Sequence, residues 1–163
     1  QLPWAGGNGA TNWQIRLNPM VSSDITAHSN GGNVRLDLAG MAITQLSADT
    51  GGGNMDVVLP NKAADLNVTV KTGAGNVTVD IGSGTTGSGS IDAGSGAGNV
   101  VVRIPTGIAA RIHATTGLGK ATIDPRFNKT GDNTYQSPDF DSAANKVELT
   151  LSSGAGDVRV NTR

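Results

Sequence analysis

Two aspartates, Asp56 and Asp80, make the best case for catalysis in this sequence. Glycoside hydrolysis needs a carboxylic acid with a raised pKa beside an ionised carboxylate, both held in a cleft. Alternating apolar residues around both aspartates place them on one face of neighbouring strands, but in different columns. Arg35 and Arg103 share that face, a pattern typical of a solvated surface of mixed charge. We therefore predict no catalytic residue.

The other titratable residues are spaced poorly for nucleophilic or metal chemistry. His28 and His113 are the only two histidines, and they lie in strands several repeats apart. Each repeat adds about 4.8 Å, so the two rings are out of reach of one another. Asp132, Asp139 and Asp141 could ligate Ca²⁺, but they lack the spacing of an EF-hand loop. We predict no metal and no cofactor.

The segment from Gly82 to Gly87 matches the G-x-G-x-x-G template for dinucleotide phosphates. That template requires a helix directly after the glycines, within a strand–helix–strand unit. Here a further glycine-rich stretch and a strand follow. The match therefore indicates glycine-rich composition and does not predict a cofactor site.

Composition narrows the possible partners. The 163-residue chain carries a net charge of −1, 24 glycines and no cysteine. Without runs of Lys or Arg, binding to nucleic acid or anionic lipid is not indicated. No stretch is long and apolar enough to span a bilayer, and no signal peptide begins at Gln1. We expect a single domain over residues 1–163, with any membrane anchor outside this chain.

The dominant feature of the sequence is an internal repeat. A glycine turn, an anchor residue and alternating apolar residues return every 21 to 23 residues, followed by one longer step of 37 residues before the last anchor. The anchors are Asn12, Asn33, Asn54, Asn76, Asn99, Lys120 and Asp157. A fixed period of this length is the signature of a repeat architecture.

Each repeat contains two strand patterns with one buried face. After the anchors, the first inward position holds mainly Val, from Val34 to Val158. Before the turns, a second alternation includes Leu46, Val68 and Ile91. Alternation with period two is typical of half-buried strands. The sequence predicts an all-β fold, a single-stranded β-solenoid (β-helix) of about seven coils.

The anchors themselves have a structural interpretation. Glycines before them supply positive φ angles in the turn. An Asn side chain can donate and accept hydrogen bonds from coil to coil. We predict that Asn33, Asn54, Asn76 and Asn99 form a ladder along one edge of the solenoid.

Two segments depart from the repeat. Gly82 to Ser90 is a glycine-rich arc, and Pro125 to Asn145 is an insertion (residues 125–145) in the penultimate coil. The insertion carries Phe127, Tyr135 and Phe140, which either pack on the solenoid wall or form an exposed contact surface. We take these three as the candidate contact residues. At the other end, residues 1–20, with Trp4 and Trp13, are predicted to form an N-terminal cap and the first coil.

The recurring phrase resembles the bacterial toastrack, or adhesin-like, family. It is clearest from Leu66 to Ile81 and returns at Ala48 to Pro60, Ala93 to Pro105 and Leu149 to Val160. The family includes the carboxy-terminal domains of cell-envelope stress-response proteins. The resemblance implies a right-handed β-solenoid outside the cytoplasmic membrane, without known catalysis. It supplies no catalytic motif.

These observations favour a non-enzymatic extracytoplasmic module for binding, adhesion or scaffolding, linked to cell-envelope stress sensing. Its partner would be a protein or a cell-surface glycan. The alternative is a carbohydrate-binding or carbohydrate-active β-helix, with Asp56, Asp80 and Tyr135 as the first residues to test. Association into homo-oligomers through the solenoid ends is a third expectation.

Overall fold

The fold is built from parallel strands that stack in two sheets. The structure is a computed structural model that describes residues 19–163. The predicted first coil and residues 1–18 of the predicted cap, with Trp4 and Trp13, lie outside the described residues. The described part of the chain contains fourteen strands and no helix, so it has no helix that could cross a membrane.

Within residues 19–163, sheet A has eight strands and sheet B has six. The spatial order in sheet A is β1 (Ser23–Ser29), β3 (Ile43–Thr50), β5 (Asn67–Ala74), β7 (Ser88–Ala97), β13 (Lys146–Ser153), β9 (Ala109–Thr116), β12 (Thr134–Gln136) and β11 (Asn128–Lys129). The spatial order in sheet B is β2 (Val34–Asp37), β4 (Met55–Val58), β6 (Val77–Asp80), β8 (Val100–Ile104), β14 (Val158–Thr162) and β10 (Ala121–Ile123). Each coil contributes one strand to each sheet, which confirms the predicted β-solenoid fold.

The inward columns that the alternation predicts form the core between the sheets. In sheet B, Met55, Val77 and Val100 occupy paired positions and are fully buried. In sheet A, Val68 and Ile91 are paired and buried in the same way. Burying one such side chain contributes about 1.5–3 kcal/mol.

The turns that join the sheets need glycine for two reasons. Gly53, Gly75 and Gly98 have φ angles of 109°, 138° and 144°, in the region that only glycine enters freely. A Cβ atom at Gly75 would also overlap the carbonyl oxygen of Gly53 in the preceding coil. The turn is therefore fixed both by its own dihedral angles and by the coil beneath it.

The anchor residues are hydrogen-bonded from coil to coil. The backbone N–H of Asn54 donates to Asn33 Oδ1 at 3.0 Å, and that of Asn76 donates to Asn54 Oδ1 at 3.0 Å. The N–H of Asn99 donates to Asn76 Oδ1 at 2.9 Å. Most rungs thus run from a backbone N–H to a side-chain oxygen. Among the anchors within residues 19–163, only Asn76 adds an amide-to-amide bond, to Asn54 at 3.2 Å.

The end of the solenoid departs from the order of the chain. After β10 the chain forms β11 and β12, and β12 runs antiparallel beside β9. The chain then returns, so that β13 lies between β7 and β9 and β14 lies between β8 and β10. The last coil in sequence is therefore the penultimate coil in space. Residues 125–145 follow the spatially terminal coil and cover the β9 edge of sheet A.

The ladder follows the spatial order. The N–H of Asp157 donates to Asn99 Oδ1 at 2.9 Å, and the N–H of Lys120 donates to Asp157 Oδ1 at 3.0 Å. An Asp can replace Asn because only the acceptor oxygen is used. A Lys side chain has no acceptor, so Lys120 fits only the last rung.

An arginine, Arg126, holds the loop between β8 and β9 in place at this end of the solenoid. Arg126 donates to the carbonyl oxygens of Thr106, Pro105 and Ile108 at 3.1, 3.1 and 3.2 Å. Burial lowers the pKa of Arg126 below its ordinary value. Asp124 Oδ1 accepts the N–H of Arg126, which is the main reason why the pKa of Asp124 lies below its ordinary value.

Candidate functional site

A polar groove lies where the two departures from the repeat meet on the outer face of sheet A. The N–H of Lys146 donates to the carbonyl of Gly87 at 2.9 Å, and the N–H of Gly87 donates to Asn145 Oδ1 at 3.3 Å. These contacts exist because β13 is inserted beside β7. Had the coils stacked in chain order, the glycine-rich arc and the insertion would lie on separate coils.

The groove has a volume of about 430 Å³, within the usual range for small-ligand sites. Its floor comes from β7, β13 and β9, and its wall comes from the segment before β13. It is lined by Ser88, Gly89 and Ser90 of β7, Lys146 and Glu148 of β13, Arg111 of β9, and Phe140 and Asp141 of the wall. The lining thus combines hydroxyl groups with charges of both signs.

Arg111 holds the wall of the groove against the sheet. Its guanidinium lies 4.3 Å from the centre of the Phe140 ring. It donates to Gln136 Oε1 at 3.0 Å, to Glu148 Oε1 at 2.9 Å and to Asp141 Oδ1 at 3.4 Å. Four contacts fix its orientation, so Arg111 positions the other groups.

Lys146 is the available cation in the groove. Its ammonium lies 5.3 Å from the centre of the Phe140 ring, within cation–π range. Within residues 19–163 this ammonium makes no ion pair and donates no hydrogen bond. The hydroxyl groups of Ser88 and Ser90 are exposed on the neighbouring strand and likewise have no partner in that part of the chain.

The predicted aromatic contact surface is corrected by the structure. Phe127 and Phe140 are only 4% and 3% exposed, and Tyr135 is half-buried against the core. Tyr135 pairs with Ile112 across the β12–β9 ladder. Phe127 and Tyr135 pack in or against the core, and Phe140 lies against Arg111 and Lys146. The wall-packing alternative therefore holds, and the three do not form an exposed patch. The sequence could not decide this because it does not show which edge the insertion covers.

The two aspartates weighed as a carboxylate pair lie on the neighbouring strands β4 and β6. Asp56 lies opposite Thr78, and Asp80 lies opposite Val58, on the outer face of sheet B. Asp80 forms an ion pair with Arg103 at 3.1 Å, and Asp56 is exposed. The structure places the two in different columns, as the register predicts.

The histidines lie far apart on sheet A. His28 is exposed on β1 and contacts the Asp49 carboxylate. His113 is exposed on β9, where its Nδ1 lies 3.3 Å from Thr134 Oγ1. Among the described residues, no group of three or more His, Cys, Asp or Glu side chains could hold a metal ion.

The stacked parallel coils define the protein as a β-solenoid, and its sequence matches known families over nearly all of its length. Residues 62–160 match the C-terminal domain of LiaF, described as a cell wall-active antibiotics response protein. Residues 1–80 match the N-terminal domain of toast_rack. The first match covers more than half of the chain, so the chain belongs to this toastrack, LiaF-like family, as the resemblance in the sequence indicates.

A solved structure has the same fold. The crystal structure of a "putative cell adhesion protein" from Clostridium sporogenes superposes with a TM-score of 0.67 and 14% sequence identity, over 90% of this chain and 96% of that chain. At this identity the likeness concerns the fold alone. No curated protein matches the sequence.

Proposed function

We propose that this domain is a non-enzymatic binding module of the cell envelope that presents the outer face of sheet A to a wall polymer. The family's description as a cell wall-active antibiotics response domain supports the location outside the cytoplasmic membrane. A role in sensing envelope stress would follow if polymer binding is relayed to a partner protein.

The observation that carries the proposal is the outer face of sheet A. Its central column runs across six paired parallel strands and consists of Thr26, Ser47, Thr69, Asp92, Thr150 and His113. Most of these side chains are short and lie on hydrogen-bonded strands, so they lose little conformational entropy on binding. Repeat proteins use extended faces of this kind for binding. Hydroxyl and carboxylate groups at strand spacing can hydrogen-bond to successive sugar hydroxyls.

A pair of matched double variants tests the proposal. Thr69→Glu with Thr150→Glu adds two carboxylates to the sheet A face. Thr78→Glu with Thr122→Glu adds the same two charges to the outer face of sheet B, at positions of similar exposure. Binding to purified cell-wall sacculi is measured by co-sedimentation. We expect the sheet A variant to bind at least tenfold more weakly and the sheet B variant to bind like wild type.

The result that overturns the proposal is equal binding by the two variants, or no binding of wild type to sacculi. The carbohydrate-active alternative is checked in the same samples by following the release of reducing ends. If wild type releases reducing ends and Asp56→Asn or Asp80→Asn abolishes that release, the domain is carbohydrate-active and the non-enzymatic proposal is wrong. If no reducing ends are released, the result supports the non-enzymatic proposal.

A further inference from the structure

We propose that the groove at the β7–β13–β9 end of this face is a subsite for an acidic sugar, in which Lys146 binds the sugar carboxylate. The inference rests on the proposed function, since the sugar would be one unit of the polymer bound along sheet A. It adds a ligand class and a specificity-determining residue to that function.

The first step of the argument is the charge balance within the groove. Arg111 is held by Glu148, Asp141 and Gln136. Lys146 has no such acceptor among the described residues, and Phe140 beneath it offers only a ring face at 5.3 Å. One cation is therefore available for an anionic ligand. A charge-assisted hydrogen bond to a carboxylate is its strongest available contact.

The second step is the set of groups around Lys146. Ser88 lies directly beside it in the β7–β13 register, and Ser90 lies beside Glu148. The hydroxyl groups of Ser88 and Ser90 can donate or accept. Glu148 uses Oε1 for Arg111, while its Oε2 has no donor within residues 19–163. A cation, two hydroxyl groups and one acceptor match a sugar that carries both a carboxylate and hydroxyl groups.

The third step is the limit on ligand charge. Two carboxylates, Asp141 and Glu148, line the groove with the two cations, so these four groups carry no net charge. A ligand that placed several negative charges inside the groove would be repelled by these carboxylates. A single carboxylate within reach of Lys146 avoids that cost.

The fourth step concerns the aromatic ring. Phe140 is 3% exposed, and Arg111 and Lys146 lie against it. The ring cannot serve as a stacking platform for a neutral sugar. Recognition must therefore depend on charge and hydrogen bonds, and we expect binding to weaken as salt increases.

The test uses the whole chain and three soluble probes: tri-galacturonic acid, its fully methyl-esterified form, and an oligomer of glycerol phosphate. The ester keeps the hydroxyl groups and removes the charges. Binding is measured by calorimetry and by amide chemical shifts at residues 88–90 and 146–148. The variant is Lys146→Gln. Its control is Lys71→Gln, on the same face but ion-paired with Asp92 at 2.9 Å.

We expect the acid to bind wild type and Lys71→Gln equally, with shifts at the groove. We expect binding to fall at least tenfold for the ester and for Lys146→Gln, whose thermal unfolding should match that of wild type. Equal binding of acid and ester, or normal binding by Lys146→Gln, overturns the subsite. Preference for glycerol phosphate over the acid also overturns it, in favour of a phosphodiester ligand. Sacculus binding that depends on Thr69 and Thr150 would stand in all three cases, whereas its absence would refute the proposed function itself.

Discussion

At the scale of single residues, the ladder shows which property of each anchor matters. Asn33, Asn54, Asn76 and Asn99 each present an oxygen to the next backbone N–H, and Asp157 does the same. In the part of the ladder that the structure describes, the side-chain N–H group is used in only one rung. Each anchor must place an acceptor oxygen within reach of the backbone N–H in the next coil. Asn and Asp both do so and can replace one another, whereas Lys has no acceptor and is found at the last rung of the ladder.

Asn76→Ala tests this requirement. It removes the acceptor of the Asn99 N–H, so we expect the free energy of unfolding to fall by about 1 kcal/mol. Asn76→Asp keeps the oxygen and should cost clearly less. Urea unfolding at neutral pH measures both variants, and equal losses would show that the amide donor is what matters.

Gly75→Ala tests the turn. A Cβ atom at a φ of 138° is strained and would overlap the Gly53 carbonyl. The backbone strain alone should lower the free energy of unfolding by about 1–3 kcal/mol, and the overlap adds to it. Gly107→Ala is the control, because a Cβ there meets no atom within 4 Å. Similar melting of the two variants in a thermal unfolding experiment would contradict the register of the turns.

At the scale of strands, the main finding is the insertion of β13 and β14 between coils that are neighbours in sequence. The 37-residue step between Lys120 and Asp157 gives the chain enough length to leave the terminal coil, form β11 and β12, and return. Because each inward position holds a similar apolar residue, the core accepts the last coil at this place. The insertion also brings the two irregular segments together at the groove.

A pair of engineered disulfides tests the strand order in a chain that has no native cysteine. Asp92 and Thr150 are directly opposed on β7 and β13, about 4.8 Å apart, which a disulfide can bridge. Asp92 and His113 are separated by β13, about 9.6 Å, which exceeds the limit. We expect Asp92→Cys with Thr150→Cys to oxidise and Asp92→Cys with His113→Cys to stay reduced. Mass spectrometry after mild oxidation reads the result, and the opposite pattern would mean that coils stack in chain order.

At the scale of the whole molecule, the two sheets end differently after the last coil. Sheet A is extended by β12 and β11, whereas sheet B ends on β10. The end of β10 is tied down by Asp124, which accepts from Arg126 at 3.0 Å and from the N–H of Thr162 at 3.1 Å. Association through the solenoid ends stays a prediction.

Asp124 makes the stability of this end dependent on pH. Its pKa in the folded protein lies below 3.8, its ordinary value, because the ionised form accepts both N–H groups. The stabilisation is therefore fully present above pH 3.8 and is lost as the pH falls through the folded pKa. We expect Asp124→Asn to be less stable than wild type at neutral pH, with the difference in unfolding free energy shrinking below pH 3.8. A difference that does not change with pH would show that ionisation of Asp124 is not involved.

The alternation of apolar and polar residues was sufficient to predict both strands of each coil, and the positions of Asn33 to Asn99 indicated the ladder. These features are local, since period two and the turn glycines depend on neighbours in sequence. The groove was not predicted as such. Its residues come from the two segments that depart from the repeat: Ser88 and Ser90 from the first, Phe140 and Asp141 from the second. Whether these two segments lie side by side depends on the strand order, which the sequence does not show.

The sequence by itself determined the coil: which side chains point inward, where the turn needs glycine, and which residue anchors the next rung. Those choices follow from backbone geometry and burial within about 22 residues. Only the tertiary structure decided the order of the last coils, the burial of Phe127 and Phe140, and the assembly of the groove around Lys146. Similar apolar columns make alternative stacking orders nearly equivalent locally, so the choice between them depends on how residues 125–145 cover the end of sheet A.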